Sequence, residues 1–120
     1  MINQVTLVGR LTKDPELRYT ADGKGILNMT VAVSRPYRTK EGAAATDFIY
    51  CTVWNKLAEN TAQYCCKGSL VGVLGAIQTR NYEDKSGKRV YVTEVLAHTV
   101  RFLDKRRNES SEVLPILTIP

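Results

Sequence analysis

The sequence has few of the residues from which metal centres and disulfide frameworks are built. Its 120 residues include three cysteines, Cys51, Cys65 and Cys66, and a single histidine, His98. None of their spacings is typical of zinc ligands, and the adjacent Cys65 and Cys66 are poorly placed to pair with each other. We therefore expect free thiols that act as small hydrophobic side chains in a reducing compartment, and no metal site.

The chain also lacks a catalytic constellation and a membrane segment. Neither paired carboxylates nor a nucleophile with its base is evident, so we expect a protein that is not an enzyme and needs no cofactor. No apolar run approaches the roughly 18–20 residues of a membrane-spanning helix. The first residues carry no basic and apolar secretory signal, so the expected location is the cytoplasm.

What the sequence does have is an excess of positive charge in an ordinary globular composition. It contains 17 Lys and Arg against 12 Asp and Glu, and 43% of its residues are hydrophobic. The whole excess lies in residues 1–103, because residues 104–120 contain three of each sign. A basic chain of this length predicts one domain with a polyanionic partner.

Alternation of apolar and polar residues predicts five strands, over residues 4–11, 26–34, 47–54, 70–82 and 90–102. The spacing changes to that of a helix over residues 55–66, which Gly68 would cap. Loops are expected over residues 12–25 and 35–46, and a charged hairpin tip over 83–89. Gly72 and Gly75 predict bends or bulges in the fourth strand.

This β-β-β-α-β-β order is that of the OB fold, an all-β five-stranded barrel with one helix. We expect the barrel to occupy residues 1–103. Residues 104–120, polar in their first half and apolar in their second, form a short C-terminal tail.

Four aromatic residues stand among basic ones: Tyr37 in the second loop, Phe48 and Trp54 on the third strand, and Tyr82 beside the hairpin tip. Unpaired nucleobases stack on such rings, while Lys and Arg neutralise phosphates. Duplex DNA hides the faces of its bases, so the pattern predicts a sequence-independent site for single strands. The basic candidates are Arg35, Arg38, Lys40, Lys56, Arg80, Lys85, Lys88 and Arg89.

The third strand by itself leaves a second interpretation open. Phe48, Tyr50 and Trp54 alternate with Ile49, Cys51 and Val53, and either set could fill the barrel. The aliphatic set is sufficient for a core, which favours exposed rings. Two other functions also remain open at this point: an RNA-binding OB module, and a protein-interaction module whose rings form an interface.

Several motifs resemble those of bacterial single-stranded DNA-binding proteins. They are MINQVTLVGRLTKDPELRYT at residues 1–20, WNKLAE at 54–59, KGS at 67–69, GAIQTR at 75–80 and VTEV at 92–95. The resemblance covers about residues 1–103. It implies a nucleoid-associated homotetramer that binds and protects single-stranded DNA in replication, recombination, repair or DNA uptake. It also places the base-stacking rings at Tyr37, Phe48, Trp54 and Tyr82, and phosphate contacts at Arg35, Arg38, Lys56, Arg80 and the hairpin lysines.

The chain departs from that family pattern after the barrel. Replicative members continue into a Gly-, Gln- and Pro-rich linker and an acidic tip ending in Pro-Phe, which recruits other genome-maintenance proteins. This sequence ends in Ile119-Pro120 with Glu112 as its last acid. It is similar in this respect to the short accessory, phage and plasmid forms, so the resemblance does not extend to recruitment.

Overall fold

A computed structural model describes residues 1–38 and 40–104, without the side chains of Arg38 and Ala44. Its elements in chain order are β1 (Val5–Leu11), β2 (Glu16–Tyr19), β3 (Gly25–Arg38), β4 (Ala44–Trp54), α1 (Asn55–Tyr64), β5 (Leu70–Glu83) and β6 (Arg89–Phe102). No helix in this described part has the length and apolar character needed to cross a bilayer.

The five long strands close into a barrel because β1 has two partners. Its residues 5–10 pair with β5, while Arg10 and Leu11 also pair with Ala32 and Val31 of β3. The remaining neighbours are β5 with β6, β6 with β4 and β4 with β3, which completes the ring. This is the predicted OB fold. Gly9 permits the closure, since a Cβ at that position would overlap the carbonyl oxygen of Ala32.

The core is formed by one parity of each strand. Alternate residues of β3 and β4 are fully buried, and they meet Val71 and Val73 of β5 inside the barrel. The buried residues of β3 and β4 are Leu27, Met29, Val31, Cys51 and Val53. All three cysteines are free thiols and two of them, Cys51 and Cys65, are buried, which confirms their expected use as small hydrophobic side chains.

Two predicted loops contain strand. Residues 16–19 form β2, which pairs with β3 outside the closed ring. The loop predicted at 35–46 is much shorter, because β3 continues to Arg38 and β4 begins at Ala44. Pro36 argued against a strand, but it lies within an irregularity of the β3–β4 register between Ser34 and Arg38, where proline is tolerated.

The helix is shorter than predicted and has a different end. It stops at Tyr64, and its C-cap is Cys65 in an extended conformation, whose N–H donates to the carbonyl of Thr61. Gly68 does have a positive φ of 90°, but it belongs to the turn that follows the helix. The buried Ala58 and Thr61 hold α1 against the barrel.

A bulge in the β5–β6 ladder lies at one of the two predicted glycines. The register shifts between Leu74 and Gly75, whereas it continues regularly through Gly72. Beyond this bulge the two strands continue as a hairpin to residues 83 and 89, as the sequence predicted.

The described chain ends in a polar contact with the barrel. A carboxylate oxygen of Asp104 accepts hydrogen bonds from the Leu70 amide at 3.0 Å and from the Arg10 guanidinium at 3.1 Å. The predicted tail therefore has its first residue attached to the barrel, and its residues 105–120 lie outside the described part.

Candidate nucleic-acid interface

The third predicted strand, now β4, turns its aromatic residues outward. Phe48 is 67% exposed and Trp54 is 36% exposed, whereas Cys51 and Val53 on the opposite parity are completely buried. The interpretation in which these rings fill the barrel is therefore wrong. The aliphatic parity supplies the core, as the sequence favoured.

The same side of the sheet continues from β4 onto β6 and β5. Thr52 of β4 pairs with Leu96 of β6, so Glu94, two residues earlier on β6, also lies on this side. Across the β5–β6 ladder Glu94 faces Gln78, and Arg80 and Tyr82 follow on β5 at the same parity. The register thus brings together, on one side of one sheet, Phe48, Tyr50, Trp54, Arg80 and Tyr82, which we call the ring face.

Trp54 is oriented by an unusual turn of the chain. It is the N-cap of α1 with extended backbone angles, and the next residue, Asn55, has a φ of 62°. Asparagine is one of the few residues other than glycine that adopt this left-handed conformation readily. The strand consequently turns into the helix within one residue, which leaves Trp54 at the end of the ring face and Lys56 exposed just beyond it.

Tyr37 belongs to a hydrogen-bonded group on the β3–β4 hairpin. It is in β3 rather than in a loop, and its hydroxyl accepts a hydrogen bond from Arg35 at 2.9 Å. Arg35 also donates two hydrogen bonds, of 2.8 and 2.7 Å, to the carboxylate of Asp47. Asp47 and Phe48 are consecutive strand residues and point to opposite sides. The Arg35 guanidinium thus links the Tyr37 hydroxyl to Asp47, and Tyr37 itself lies within the irregularity of the β3–β4 register, where alternation does not fix the side of its ring.

Three of the predicted phosphate-binding arginines are engaged with carboxylates. Arg35 pairs with Asp47 at 2.7 Å, Arg80 with Glu94 at 3.4 Å and Arg89 with Glu83 at 3.6 Å. The hydrogen bonds from Arg35 hold the pKa of the Asp47 carboxyl below its ordinary value. Each of these arginines therefore already has a carboxylate partner before any DNA is bound.

The predicted phosphate-binding lysines differ from these arginines in their ion pairing. Lys40, Lys56, Lys85 and Lys88 are exposed, and the described residues contain no ion pair to any of them. The side chain of Arg38 lies outside the described part of the chain.

Two of these lysines are presented by a well-defined hairpin tip. The Asp84 carboxylate accepts hydrogen bonds from the Ser86 amide, the Ser86 hydroxyl and the Lys88 amide at 2.9, 2.7 and 3.0 Å. These bonds lower the pKa of Asp84. Gly87, with a φ of 86°, completes the turn, so Lys85 and Lys88 project from a short, internally bonded loop.

Sequence reasoning missed three residues near this surface. Tyr50 is a partly exposed member of the ring face, and its alternation with Phe48 and Trp54 was the available signal. Tyr91 is 77% exposed, on the opposite side of the β5–β6 hairpin from Tyr82. Glu94 is a buried carboxylate beneath the ring face, and nothing in the local sequence distinguishes it from a solvent-exposed strand residue.

From the spacing of the three cysteines and His98, the sequence predicted no metal site. In residues 1–38 and 40–104 no group of three or more His, Cys, Asp or Glu side chains is arranged to hold a metal ion. His98 is exposed on β6.

The fold and this surface define an OB-fold protein with exposed rings and cations on the outer side of its barrel. OB barrels use such sheet surfaces and the adjoining hairpins for oligonucleotides and oligosaccharides.

Comparison with known proteins defines the family. A model of the single-strand binding protein family matches residues 2–103, and the chain belongs to that family. It is 58% identical over 111 residues to single-stranded DNA-binding protein B of Bacillus subtilis, covering 92% of this chain and 98% of that protein. The single-stranded DNA-binding protein of Halalkalibacterium halodurans is 56% identical over 110 residues, which span 92% of this chain and 66% of that protein. For single-stranded DNA-binding protein 3 of Listeria innocua the identity is 56% over 108 residues, with coverages of 90% and 68%. The family predicted from the sequence motifs is thereby confirmed.

Proposed function

We propose that this protein binds single-stranded DNA without sequence preference and protects it. The observation that carries the proposal is the ring face, on which Phe48, Trp54 and Tyr82 are exposed on the same side of the sheet as Arg80. A base stacked on a ring contributes about 1–3 kcal/mol whatever its identity, and only unpaired bases offer their faces. The related proteins of Bacillus subtilis and Halalkalibacterium halodurans, both named as single-stranded DNA-binding proteins, support the same ligand.

The proposed base-stacking residues are Tyr37, Phe48, Trp54 and Tyr82. A strand that uses all four rings would extend from the ring face to Tyr37 on β3. The proposed phosphate ligands are Arg35, Arg38, Lys40, Lys56, Arg80, Lys85, Lys88 and Arg89. The four exposed lysines are free to contact phosphates along the strand. Arg35 and Arg89 would instead contact a phosphate with a guanidinium that is already paired with a carboxylate.

We assign DNA binding to a domain over residues 1–103 and treat residues 104–120 as a tail. The protein would act in the cytoplasm as a homotetramer that coats DNA in replication, recombination, repair or uptake, without catalysing a reaction. Self-association is supported by apolar side chains exposed on the outer side of β1 and β5, among them Val8 and Leu74. Light scattering after gel filtration should give four times the chain mass, and a monomer mass would contradict this assembly.

Titration with oligo-dT tests DNA binding directly, since Trp54 is the only tryptophan of the chain and reports on the ring face. We expect its fluorescence to be quenched at low salt, with much weaker binding to a duplex of the same length. The logarithm of the affinity should fall linearly with the logarithm of salt concentration. Absence of quenching, or equal affinity for the duplex, would contradict the proposal. Preference for a matched RNA oligomer would indicate an RNA-binding module instead.

A further inference from the structure

A buried carboxylate lies directly beneath the proposed interface. Glu94 is only 3% exposed, although it lies on the same side of the sheet as the rings. Its Oε1 atom has no hydrogen-bond partner among the described residues. A buried carboxylate that is incompletely hydrogen-bonded is costly, and replacement of buried charges by apolar residues often stabilises proteins. Stability alone therefore gives no reason for a glutamate at this position.

The other oxygen of Glu94 organises two side chains of β5. Its Oε2 accepts a hydrogen bond from Gln78 Nε2 at 2.7 Å and one from Arg80 Nε at 3.4 Å. Gln78 is directly opposite Glu94 in the ladder, and Arg80 is the next residue of the same parity. The carboxylate is thus buried while the side chain of Arg80 remains 50% exposed.

The bond uses only one of the three guanidinium nitrogens. Arg80 approaches the carboxylate through Nε, and its two terminal nitrogens make no hydrogen bond or ion pair within the described part of the chain. A guanidinium is planar, so a bond at Nε restricts the directions in which the terminal amino groups can point. Their four N–H donors suit a phosphate, which arginine binds through two parallel bonds.

We propose that Glu94 is a positioning residue, which holds the Arg80 guanidinium so that its terminal amino groups meet a phosphate of the strand stacked on Tyr82. This inference rests on the proposed function. Anchoring the arginine before the DNA arrives removes part of the ordering cost of a long, flexible side chain. The ring face then has one preformed phosphate site in addition to the exposed lysines assigned to phosphates in the proposed function.

Two neutral replacements of Glu94 separate positioning from charge. Glu94→Gln can keep both hydrogen bonds with its single oxygen in the place of Oε2, because its amide nitrogen can occupy the unpartnered Oε1 position. Glu94→Leu removes the acceptor at the same net charge. We expect the Gln variant to bind oligo-dT about three- to tenfold more tightly than the Leu variant. In an Arg80→Ala background the two should bind equally.

The outcome that would overturn the inference is equal binding by the Gln and Leu variants, or a difference that persists without Arg80. A purely structural role would shift the thermal midpoint and would affect affinity in both backgrounds. Arg80→Lys provides a second test at the surface, which does not depend on the folding of a core variant. A lysine ammonium cannot form the two parallel hydrogen bonds that an oriented guanidinium offers to a phosphate. We therefore expect binding about three- to tenfold weaker at unchanged net charge. Unchanged affinity in that variant would likewise overturn the inference.

The unsubstituted chain distinguishes this inference from the proposed function. If it fails to bind oligo-dT, the proposed function is wrong. If it binds and the variants do not differ as described, only the role of Glu94 is wrong.

Discussion

At the scale of single residues, the exposure of a side chain follows from the parity of its strand position. Along β4 the odd positions Cys51 and Val53 enter the barrel, so the even positions must face outward. An apolar side chain stabilises a fold through the surface that it removes from water. Phe48 buries only a third of its surface in this fold. We therefore expect Phe48 to contribute more to the proposed DNA binding than to folding.

Phe48→Ala should therefore separate binding from stability. We expect affinity for oligo-dT to fall by about 1–3 kcal/mol, with the free energy of unfolding changed by no more than about 0.5 kcal/mol. Leu27→Ala, a change at a fully buried position of β3, is the matched control. It should lower the free energy of unfolding by about 2–5 kcal/mol. Fluorescence titration and urea denaturation measure the two quantities, and a strongly destabilised Phe48→Ala variant would contradict the assignment.

The Arg35–Asp47 pair predicts a local dependence on pH. Hydrogen bonds from Arg35 lower the pKa of Asp47 from its ordinary 3.8. Because the folded-state pKa is lowered, the contribution of the pair to stability is present above that ordinary value and is lost as the pH falls through the lowered one.

Removal of the guanidinium should abolish that shift. In Arg35→Gln we expect the pKa of Asp47 to rise towards 3.8, as followed by NMR titration of its side-chain carboxyl carbon. Asp84 is the internal control, because its lowered pKa comes from Ser86 and backbone donors of its own turn. A simultaneous change at Asp84 would indicate a general change of fold and not the loss of one pair.

The exposed parity of β4 could be predicted from the sequence because it depends only on alternation along one strand. The position of Tyr37 could not, since it depends on how far the β3–β4 ladder continues past the barrel. Glu94 was equally unpredictable, because its burial depends on side chains of neighbouring strands, such as Gln78 and Arg80 of β5, which a local pattern does not contain. Motif resemblance named Tyr37 as a ring of the site but gave no information about its hydrogen bond with Arg35.

At the scale of elements, the β5–β6 bulge separates the barrel part of this ladder from the hairpin part that contributes Arg80 and Tyr82 to the ring face. Before the bulge Val73 is opposite Val100, and after it Gly75 is opposite Ala97, so β6 has one residue more than β5 between these pairs. Side chains alternate between the two faces of a sheet, so one extra residue on a strand reverses which positions beyond it face the barrel interior. The bulge therefore lets Val100 before it and Ala97 after it both enter the barrel although their positions differ in parity, and Arg80, Tyr82 and Glu94 all lie on the hairpin side of it.

Gly75→Ala tests the bulge against a control three residues away. A Cβ at Gly75 would overlap the carbonyl of Leu96, which is backbone and cannot easily move. At Gly72 the nearest atom would be a side-chain carbon of Leu103 at 3.6 Å, an ordinary contact. We expect Gly75→Ala to lower the free energy of unfolding by about 1–3 kcal/mol. Gly72→Ala should change it by about 0.5 kcal/mol or less. Equal effects in urea denaturation would show that the close approach at Gly75 does not constrain the ladder.

At the scale of the whole molecule, most of the net positive charge lies in the residues that form the barrel. Residues 1–104 contain 14 Lys and Arg and 10 Asp and Glu. Residues 105–120 contain three basic residues, Lys105, Arg106 and Arg107, and two acidic ones. If the DNA is held on the ring face and the hairpins, the barrel carries the phosphate contacts and the tail adds none.

A chain ending at Asp104 should then bind oligo-dT with the affinity and salt dependence of the full chain. Each phosphate contact of a single strand contributes about 0.7 to the slope of log affinity against log salt. Loss of contacts from Lys105 to Arg107 would therefore be visible as a slope lower by about 2, and would show that the tail also holds DNA. Asp104 itself must be kept, because it accepts hydrogen bonds from Leu70 and Arg10. Ending the chain at Leu103 should consequently lower the free energy of unfolding by about 1 kcal/mol while the salt slope stays the same, because Asp104 contributes to the barrel and not to phosphate binding.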